Sequence, residues 1–253
     1  MRPFVPITIG FALAAAAALL LPARHWGVAW GSLGAAYLTL VVVGVVSMRS
    51  GVFGRAHTSG DRSRRAVALT YDDGPAPEAT APLLDLLRER RVSAAFFVVG
   101  ARARAHRELV ARCHAEGHLL ANHTDHHSYL TNFLRAPGLR REIEACQATL
   151  EAITGERPRY YRPPVGLMNP SVQPVARALG LELVGWQVRS LDTTSRSATE
   201  IARRVLARIR PGGIILLHDG GLEPSRVTEI TKRILDGLEE QGLEPVRLDR
   251  LLP

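Results

Sequence analysis

Residues 66–75, AVALTYDDGP, run from a short apolar stretch into two adjacent aspartates and a Gly-Pro break. A short apolar run that ends at turn residues is typical of a buried strand. Successive side chains at a strand end point in different directions, so Asp72 and Asp73 are able to serve two separate tasks. A simple Asp-rich turn is the alternative, because Asp, Gly and Pro are all common in turns.

Apolar runs alternate with amphipathic helical patterns from residue 66 onward. AAFFVVG at 94–100 precedes RELVARCHAEG at 107–117, and GGIILLHD at 212–219 precedes VTEITKRILDGL at 227–238. This alternation predicts an α/β fold in which helices wrap a parallel sheet. About seven repeats favour an irregular (β/α)7-type barrel over a small open sheet. Catalytic groups collect at the carboxyl ends of strands in both architectures, which predicts TYDDGP at the mouth of a site.

Two apolar runs precede this domain, at residues 4–21 and 26–48. Each is close to the ~20 residues that cross a hydrocarbon core. We therefore predict one or two transmembrane helices, with two preferred, in a membrane segment at 1–48. A linker at 49–65 and a catalytic domain at 66–253 would follow. A cleaved signal peptide is the alternative for the first run, although no small-x-small cleavage site follows it.

The charge and the cysteines exclude several classes of protein. The net charge of +8 comes almost wholly from scattered arginines, and Lys232 is the only lysine. Without a basic face or a reading motif, we predict no nucleic-acid partner. Cys113 and Cys146 both fall in predicted helices, which indicates neither a disulfide scaffold nor a cysteine metal site.

The stretch NHTDHH at 122–127 holds three histidines. On a helical turn, His123 and His127 would approach one metal from the same side, and a carboxylate from elsewhere would complete the ligand set. Thr124 stands where the zincin motif needs glutamate, so that motif is excluded. His126 is an alternative ligand, and a histidine-rich surface loop is an alternative explanation of the whole stretch.

Three further motifs lie at the ends of predicted strands, namely RPPVG at 162–166, WQVRSLD at 186–192 and IILLHD at 214–219. The double proline fixes a rigid turn, and Arg162 is able to hold a carboxylate through two hydrogen bonds. Each motif also has a simpler reading: a surface arginine, a helix N-cap at Asp192 and a structural histidine at position 218.

Together the five motifs resemble the polysaccharide deacetylases of carbohydrate esterase family four, the NodB-homology domain. TYDDGP is similar to the family's TFDDGP signature, NHTDHH contains its H-[ST]-x-x-H element, and the other three follow in the family's order. The resemblance covers about residues 66–253. It implies a hydrolase that acts on carbon–nitrogen bonds other than peptide bonds.

The resemblance also implies a role for each residue of the site. Asp73, His123 and His127 would hold a divalent metal, with Zn²⁺ expected and Co²⁺, Ni²⁺ or Mn²⁺ as alternatives. Asp72 would be the general base, and Arg162 would keep it ionised.

The remaining roles concern the leaving group and the acyl group. The resemblance makes His218 the general acid, held by Asp192, and makes the Val165 N–H an oxyanion donor. Leu216 would wall the acetyl pocket. The sequence departs from the family at Arg189, where an aspartate is usual, and at Thr193, where an aromatic residue is expected, which puts the acyl preference in question.

The expected substrate is an N-acetylhexosamine polysaccharide of the cell envelope. A lipid-linked amino sugar, deacylated or deformylated at the membrane surface, is the alternative, and an inactive carbohydrate-binding module is a third reading. We expect a lipid bilayer as partner and a domain on the periplasmic or extracellular side. The arginines after the second apolar run favour the cytoplasmic face instead, so sidedness stays open, as does the oligomeric state.

Overall fold

The computed structural model describes residues 4–252, and its centre is one curled parallel sheet. The strands are β1 (Ala66–Asp72), β2 (Ala95–Val98), β3 (Leu119–Asn122), β4 (Tyr160–Tyr161), β5 (Glu182–Leu183), β6 (Val188–Arg189), β7 (Gly213–His218) and β8 (Glu244–Pro245). Their order is β5-β4-β3-β2-β1-β7-β6, and β8 pairs with β1. Within the described residues β5 and β6 form no ladder with each other, so the barrel is incomplete. The predicted irregular (β/α)7-type architecture is confirmed.

Strand β1 lies at the centre of the sheet and is buried at all seven positions. It pairs with β2 on one side and with β7 on the other, in parallel register. Because helices cover parallel sheets on both faces, such strands are nearly continuously apolar, as AVALTY is. The register places Asp72 beside His218 of β7. The chain thereby brings two polar motifs that are far apart in sequence to one edge.

Helices cover the outside of the sheet. They are α3 (Pro77–Glu89), α4 (Gly100–Ala105), α5 (Arg107–Ala115), α6 (Ala136–Thr154), α7 (Val172–Ala178), α8 (Ala198–Arg208), α9 (Pro224–Glu240) and α10 (Leu248–Leu251). Helix α8 begins at a capping box, in which Ser197 and Glu200 each accept the other's backbone N–H. The apolar faces of α3, α8 and α9 contribute to the largest core cluster, which also includes the residues of β1 and β7 that face these helices.

Two apolar helices precede the sheet, α1 (Phe4–Ala18) and α2 (Trp26–Val46). Only the helical stretch Ala23–Val46 is long and apolar enough to cross a membrane, judged by length and composition over the described residues. With 15 residues, α1 spans about 22 Å, less than the ~30 Å of a hydrocarbon core. One candidate span is therefore found, and the second stays a prediction.

Residues 49–65, predicted as a linker, lie against the open side of the barrel. Val52 and Phe53 are buried in a core cluster. The N–H of His57 donates to the carbonyl of Leu183 at the end of β5, at 2.8 Å. Ser59 forms a bridge with Gly213 of β7. The segment thus contacts strands on both sides of the gap, and the domain boundary at residue 66 stays a prediction.

Candidate active site

A cavity of about 180 Å³ lies at the carboxyl ends of the strands. All but two of the nine site residues expected from sequence line it directly; Arg162 and Asp192 lie behind its wall. The lining residues are Asp72, Asp73, His123, His127, Tyr129, Val165, Gly166, Trp186, Arg189, Thr193, Leu216 and His218. The strand-end position predicted for TYDDGP therefore agrees with the structure.

Asp73, His123 and His127 form a cluster whose ligand atoms all lie within 4.8 Å of one another. Asp73 Oδ1 is 3.0 Å from His127 Nε2 and 3.3 Å from His123 Nε2. Burial alone would raise the pKa of Asp73, but the hydrogen bonds and charges of the two histidines outweigh it and lower that pKa.

This cluster fits a divalent metal. His123 Nδ1 lies 2.7 Å from the carbonyl oxygen of Arg162, which accepts only, so Nδ1 carries a proton and Nε2 is the ring atom that would coordinate a metal. A neutral imidazole held in this tautomer by a backbone carbonyl is the usual arrangement of a metal-binding histidine. Two imidazoles and one carboxylate suit Zn²⁺ and leave coordination positions open.

The two histidines lie in the loop after β3, and not on the helical turn that the sequence suggested. Thr124 (φ 68°) and His127 (φ 52°) both adopt left-handed backbone conformations. The Asn122 side chain accepts the Thr124 N–H at 2.9 Å, and the Thr124 hydroxyl accepts the His127 N–H at 3.2 Å. These bonds hold a conformation that costs energy and that turns both rings toward Asp73.

His126 does not take part in the cluster. Its side chain is exposed, and its ring Nδ1 lies 2.9 Å from Glu142 Oε1. The alternative ligand considered from sequence is therefore wrong. The His126 ring instead pairs with Glu142 of α6 at an exposed position.

Asp72 is held by a buried arginine beside the metal cluster. Arg162 Nη1 donates to Asp72 Oδ1 at 2.5 Å and to the Thr70 hydroxyl at 3.0 Å, and the arginine is fully buried. Its Nε donates to the carbonyl of Val184, and its Nη2 donates to the carbonyl of Gly185. Burial lowers the pKa of Arg162, and the charge of Asp72 opposes this. Asp72 Oδ2 is left 3.8 Å from His123 Nε2.

His218 and Asp192 form a second pair at the same cavity. Asp192 Oδ1 lies 2.8 Å from His218 Nδ1, and Oδ2 accepts the His218 backbone N–H at 2.8 Å. Burial alone would lower the pKa of His218, but Asp192, together with the charges of Asp72 and Asp73, raises it to about 9. Asp192 is not a helix N-cap, since Ser197 caps α8.

Val165 and Leu216 are the two residues that the resemblance assigns to the oxyanion and to the acetyl pocket, and both line the cavity. Val165 adopts a left-handed conformation (φ 59°), and no backbone carbonyl within residues 4–252 accepts its N–H. Leu216 is buried and lines the cavity. Gly166 packs against Trp186 so closely that a Cβ there would lie 2.2 Å from the indole. The indole of Trp186 therefore forms a wall of the cavity, although Thr193 stands at the position where an aromatic residue was expected.

Gly74 is explained by the residue that follows His218. A Cβ at Gly74 would lie 2.2 Å from Asp219 Oδ2, so only glycine fits there. Asp219 is fully buried and accepts a hydrogen bond from the Thr80 hydroxyl at 2.6 Å. Burial raises the pKa of Asp219 to about 7. The glycine after the aspartates thus lets the loop after β1 pack closely on the residue that follows β7.

Sequence reasoning missed two features of the site. Tyr129 follows His127 by two residues, lines the cavity and is 73% exposed as part of a short 3-10 helix. Asp125, in the histidine motif, forms a two-bond ion pair with Arg104 of α4. An aromatic residue beside a ligand motif is a readable signal, whereas the Asp125 contact depends on tertiary packing.

Comparison with known proteins agrees with this site. The sequence profile described as "Polysaccharide deacetylase" matches residues 59–184. The chain is 39% identical over 192 residues to a chitooligosaccharide deacetylase of a Bradyrhizobium species, covering 71% of this chain and 87% of the relative. The chain belongs to the polysaccharide deacetylase family. It is accordingly a hydrolase acting on carbon–nitrogen bonds other than peptide bonds.

Solved structures show the same fold. A crystallised peptidoglycan N-acetylglucosamine deacetylase, Bc1960, superposes with a TM-score of 0.72 at 32% identity, covering 77% of this chain and 91% of that one. A pseudoenzyme of the family from Bacillus anthracis, BA3943, also gives 0.72, at 23% identity, covering 78% of this chain and 68% of that one. At this identity, the similarity to BA3943 is evidence for a shared fold only.

Proposed function

We propose that this protein is a metal-dependent N-deacetylase that removes acetyl groups from N-acetylglucosamine units of a chitooligosaccharide or a peptidoglycan glycan. The observation that carries the proposal is the cavity in which a metal-type cluster, a separately held carboxylate and an aspartate-bound histidine meet. The names of the relatives, a chitooligosaccharide deacetylase and a peptidoglycan N-acetylglucosamine deacetylase, support the substrate class.

Asp73, His123 and His127 would hold the metal, with Zn²⁺ as the best match to two imidazoles and one carboxylate. When bound, a divalent ion acts as a Lewis acid that polarises the amide and makes water a better nucleophile. The chain itself positions the two histidines through the left-handed residues and hydrogen bonds of the loop after β3, and Asp73, which is also left-handed (φ 73°), directly follows β1.

Asp72 would act as the general base. Arg162 occupies Oδ1 with a positively charged donor, so Oδ2 remains to accept a proton from the attacking water. Attack on the acetamido carbon places negative charge on its oxygen, and the Val165 N–H is a suitable donor to that oxygen.

His218 would act as the general acid. Asp192 holds Nδ1, which leaves Nε2 to deliver a proton to the departing amine nitrogen. A pKa of about 9 keeps the imidazole protonated at neutral pH, as the acid role needs. The carbon–nitrogen bond then breaks, and the products are acetate and a free glucosamine unit. Trp186 and Leu216 would contact the acetyl methyl group.

The test uses the full chain in detergent and measures acetate released from chitotetraose and from peptidoglycan fragments. We expect release from at least one substrate, about one metal ion per chain, loss of activity on chelation and its return when Zn²⁺ is added. Acetate release that continues after chelation has removed the metal would contradict the proposal. A fully metal-loaded protein that releases no acetate from either substrate would also contradict it.

A further inference from the structure

A second cavity, of about 340 Å³, lies between the end of α2 and the carboxyl end of β6. We call it the arginine cleft. Its lining residues are Val46, Ser47, Met48, Arg49, Thr58, Trp186, Gln187, Arg189 and Arg204. Three of the nine are arginines, and none is a carboxylate.

The three arginines have no acidic partner within residues 4–252. Arg49 Nη2 donates to the carbonyl of Gln187 at 3.1 Å, and Arg204 Nε donates to the carbonyl of Arg189 at 3.1 Å. The Arg189 guanidinium has no hydrogen-bond acceptor in the described chain. Most N–H donors of these three side chains are therefore free, and their like charges repel one another unless an anion lies between them.

The position of the arginine cleft relates it to catalysis. Trp186 and Arg189 line both the cleft and the catalytic cavity. Val46 is the last residue of α2, the helix that is long and apolar enough to cross a membrane. A ligand in the cleft would therefore contact both the site of deacetylation and the end of that apolar helix.

We propose that the arginine cleft binds a phosphate group. Guanidinium forks match phosphate oxygens with pairs of parallel hydrogen bonds, and three forks around one cavity suit a phosphate or diphosphate better than a single carboxylate. The inference rests on the proposed function only for its substrate. A phosphate attached to the amino sugar would lie beside the acetamido group, and the headgroup of a phospholipid would present the same chemistry.

The binding test measures affinity for inorganic pyrophosphate by calorimetry on the full chain. We expect Arg189→Gln and Arg204→Gln each to weaken binding about tenfold, as loss of one charge-assisted contact would. Arg203→Gln is the matched control, because Arg203 directly precedes Arg204 on α8 and lines a different groove. Equal affinity in all three variants would overturn the proposal.

A variant of the metal cluster tests whether pyrophosphate binds at that cluster instead of in the arginine cleft. We expect Asp73→Asn to keep wild-type affinity for pyrophosphate, since Asp73 lies outside the cleft. Loss of binding in this variant would assign pyrophosphate to the metal cluster and would overturn the proposal. Neither binding measurement depends on turnover, so both remain decisive if the deacetylase proposal fails.

Turnover then identifies the source of the phosphate. If the substrate carries the phosphate, chitotriose phosphorylated at its reducing end should have a kcat/KM about tenfold higher than that of chitotriose. Arg204→Gln should remove this preference, whereas Arg203→Gln should keep it. If a phospholipid carries the phosphate, vesicles of phosphatidylcholine with phosphatidylglycerol should weaken pyrophosphate binding more than vesicles of phosphatidylcholine alone. This difference should disappear in Arg204→Gln. Absence of both effects would overturn a role of the cleft in catalysis at the membrane.

Discussion

The catalytic cavity contains two carboxylate–cation pairs with different chemistry. Arg162 and Asp72 form the first, fully buried on the arginine side and stacked over the Phe97 ring at 3.9 Å. His218 and Asp192 form the second, in which the histidine ring keeps some exposure to the cavity. An arginine does not release its proton in proteins, whereas a histidine does.

This difference explains which proton each pair is suited to move. The first pair gives Asp72 a cationic partner that keeps its own proton, as a base that must accept a proton requires. The second pair keeps His218 protonated up to about pH 9, as an acid that must donate one requires. In the proposed mechanism, two similar ion pairs would therefore supply opposite functions because the cation differs.

The largest effect is expected when the permanent cation is removed. Arg162→Met leaves Asp72 buried without its partner, and breaking a buried pair costs about 3–5 kcal/mol. We expect the free energy of unfolding to fall by that amount in chemical denaturation, with activity lost. The control Arg159→Met removes a charge that is 70% exposed and should change stability by less than ~0.5 kcal/mol. A similar small change at both positions would show that the pair has no special role.

A smaller effect is expected when the switchable pair is weakened. Asp192→Asn keeps a hydrogen-bond acceptor for His218 but removes the charge that raises its pKa, and kcat should fall about 10²-fold. The decline of kcat at high pH should also move to lower pH. The exposed Asp85→Asn is the control and should leave the kcat–pH profile unchanged. An unmoved high-pH limb in the Asp192 variant would exclude His218 as the acid.

The same pair predicts how stability depends on pH in the metal-free protein. The folded pKa of about 9 is higher than the ordinary value of 6.5, so the contribution is fully present below pH 6.5 and is lost as pH rises through about 9. Unfolding measured across this range should show that loss in the wild type and a smaller one in Asp192→Asn. Identical slopes would contradict the assigned ion pair.

The smallest effect is expected at the hydroxyl that supports Arg162. Thr70 donates to the Ile215 carbonyl at 2.7 Å and accepts from Arg162 at 3.0 Å. Thr70→Val should lower the free energy of unfolding by about 1 kcal/mol, with kcat reduced only a few-fold. Thr199→Val, at an exposed position on α8, is the matched control. A Thr70 variant as stable as this control would show that Arg162 is held without the hydroxyl.

The sequence predicted the parts of the site that depend on strand ends. The apolar run before Asp72 and the run before His218 indicate strands, and parallel strands end at one edge of a sheet. That these two strands are neighbours is seen only in the structure. The family resemblance added the order of the motifs, from which the expected site residues came. The structure brings these residues to one edge because each motif is local and its polar residues lie at or soon after the end of a strand.

The features of the site that the sequence did not predict depend on contacts and conformations that form only in the folded chain. The loop conformation at His123 and His127 is set by left-handed residues that no periodicity reveals. The packing of Trp186 on Gly166 needs a close approach that only tertiary structure produces. The arginine cleft joins Arg49 to Gln187 across 138 positions of sequence. Long-range packing of this kind has no signal in a single sequence.

The most direct test of the account compares Asp72→Asn with Asp73→Asn, the same substitution at adjacent positions. Both variants are incubated with the same concentration of Zn²⁺, and the metal content per chain and the acetate release are then measured. The account predicts that Asp72→Asn keeps about one metal ion and loses turnover by ~10³-fold or more, whereas Asp73→Asn loses the metal as well. Equal metal content in the two variants would contradict the separation of base and ligand on which the mechanism depends.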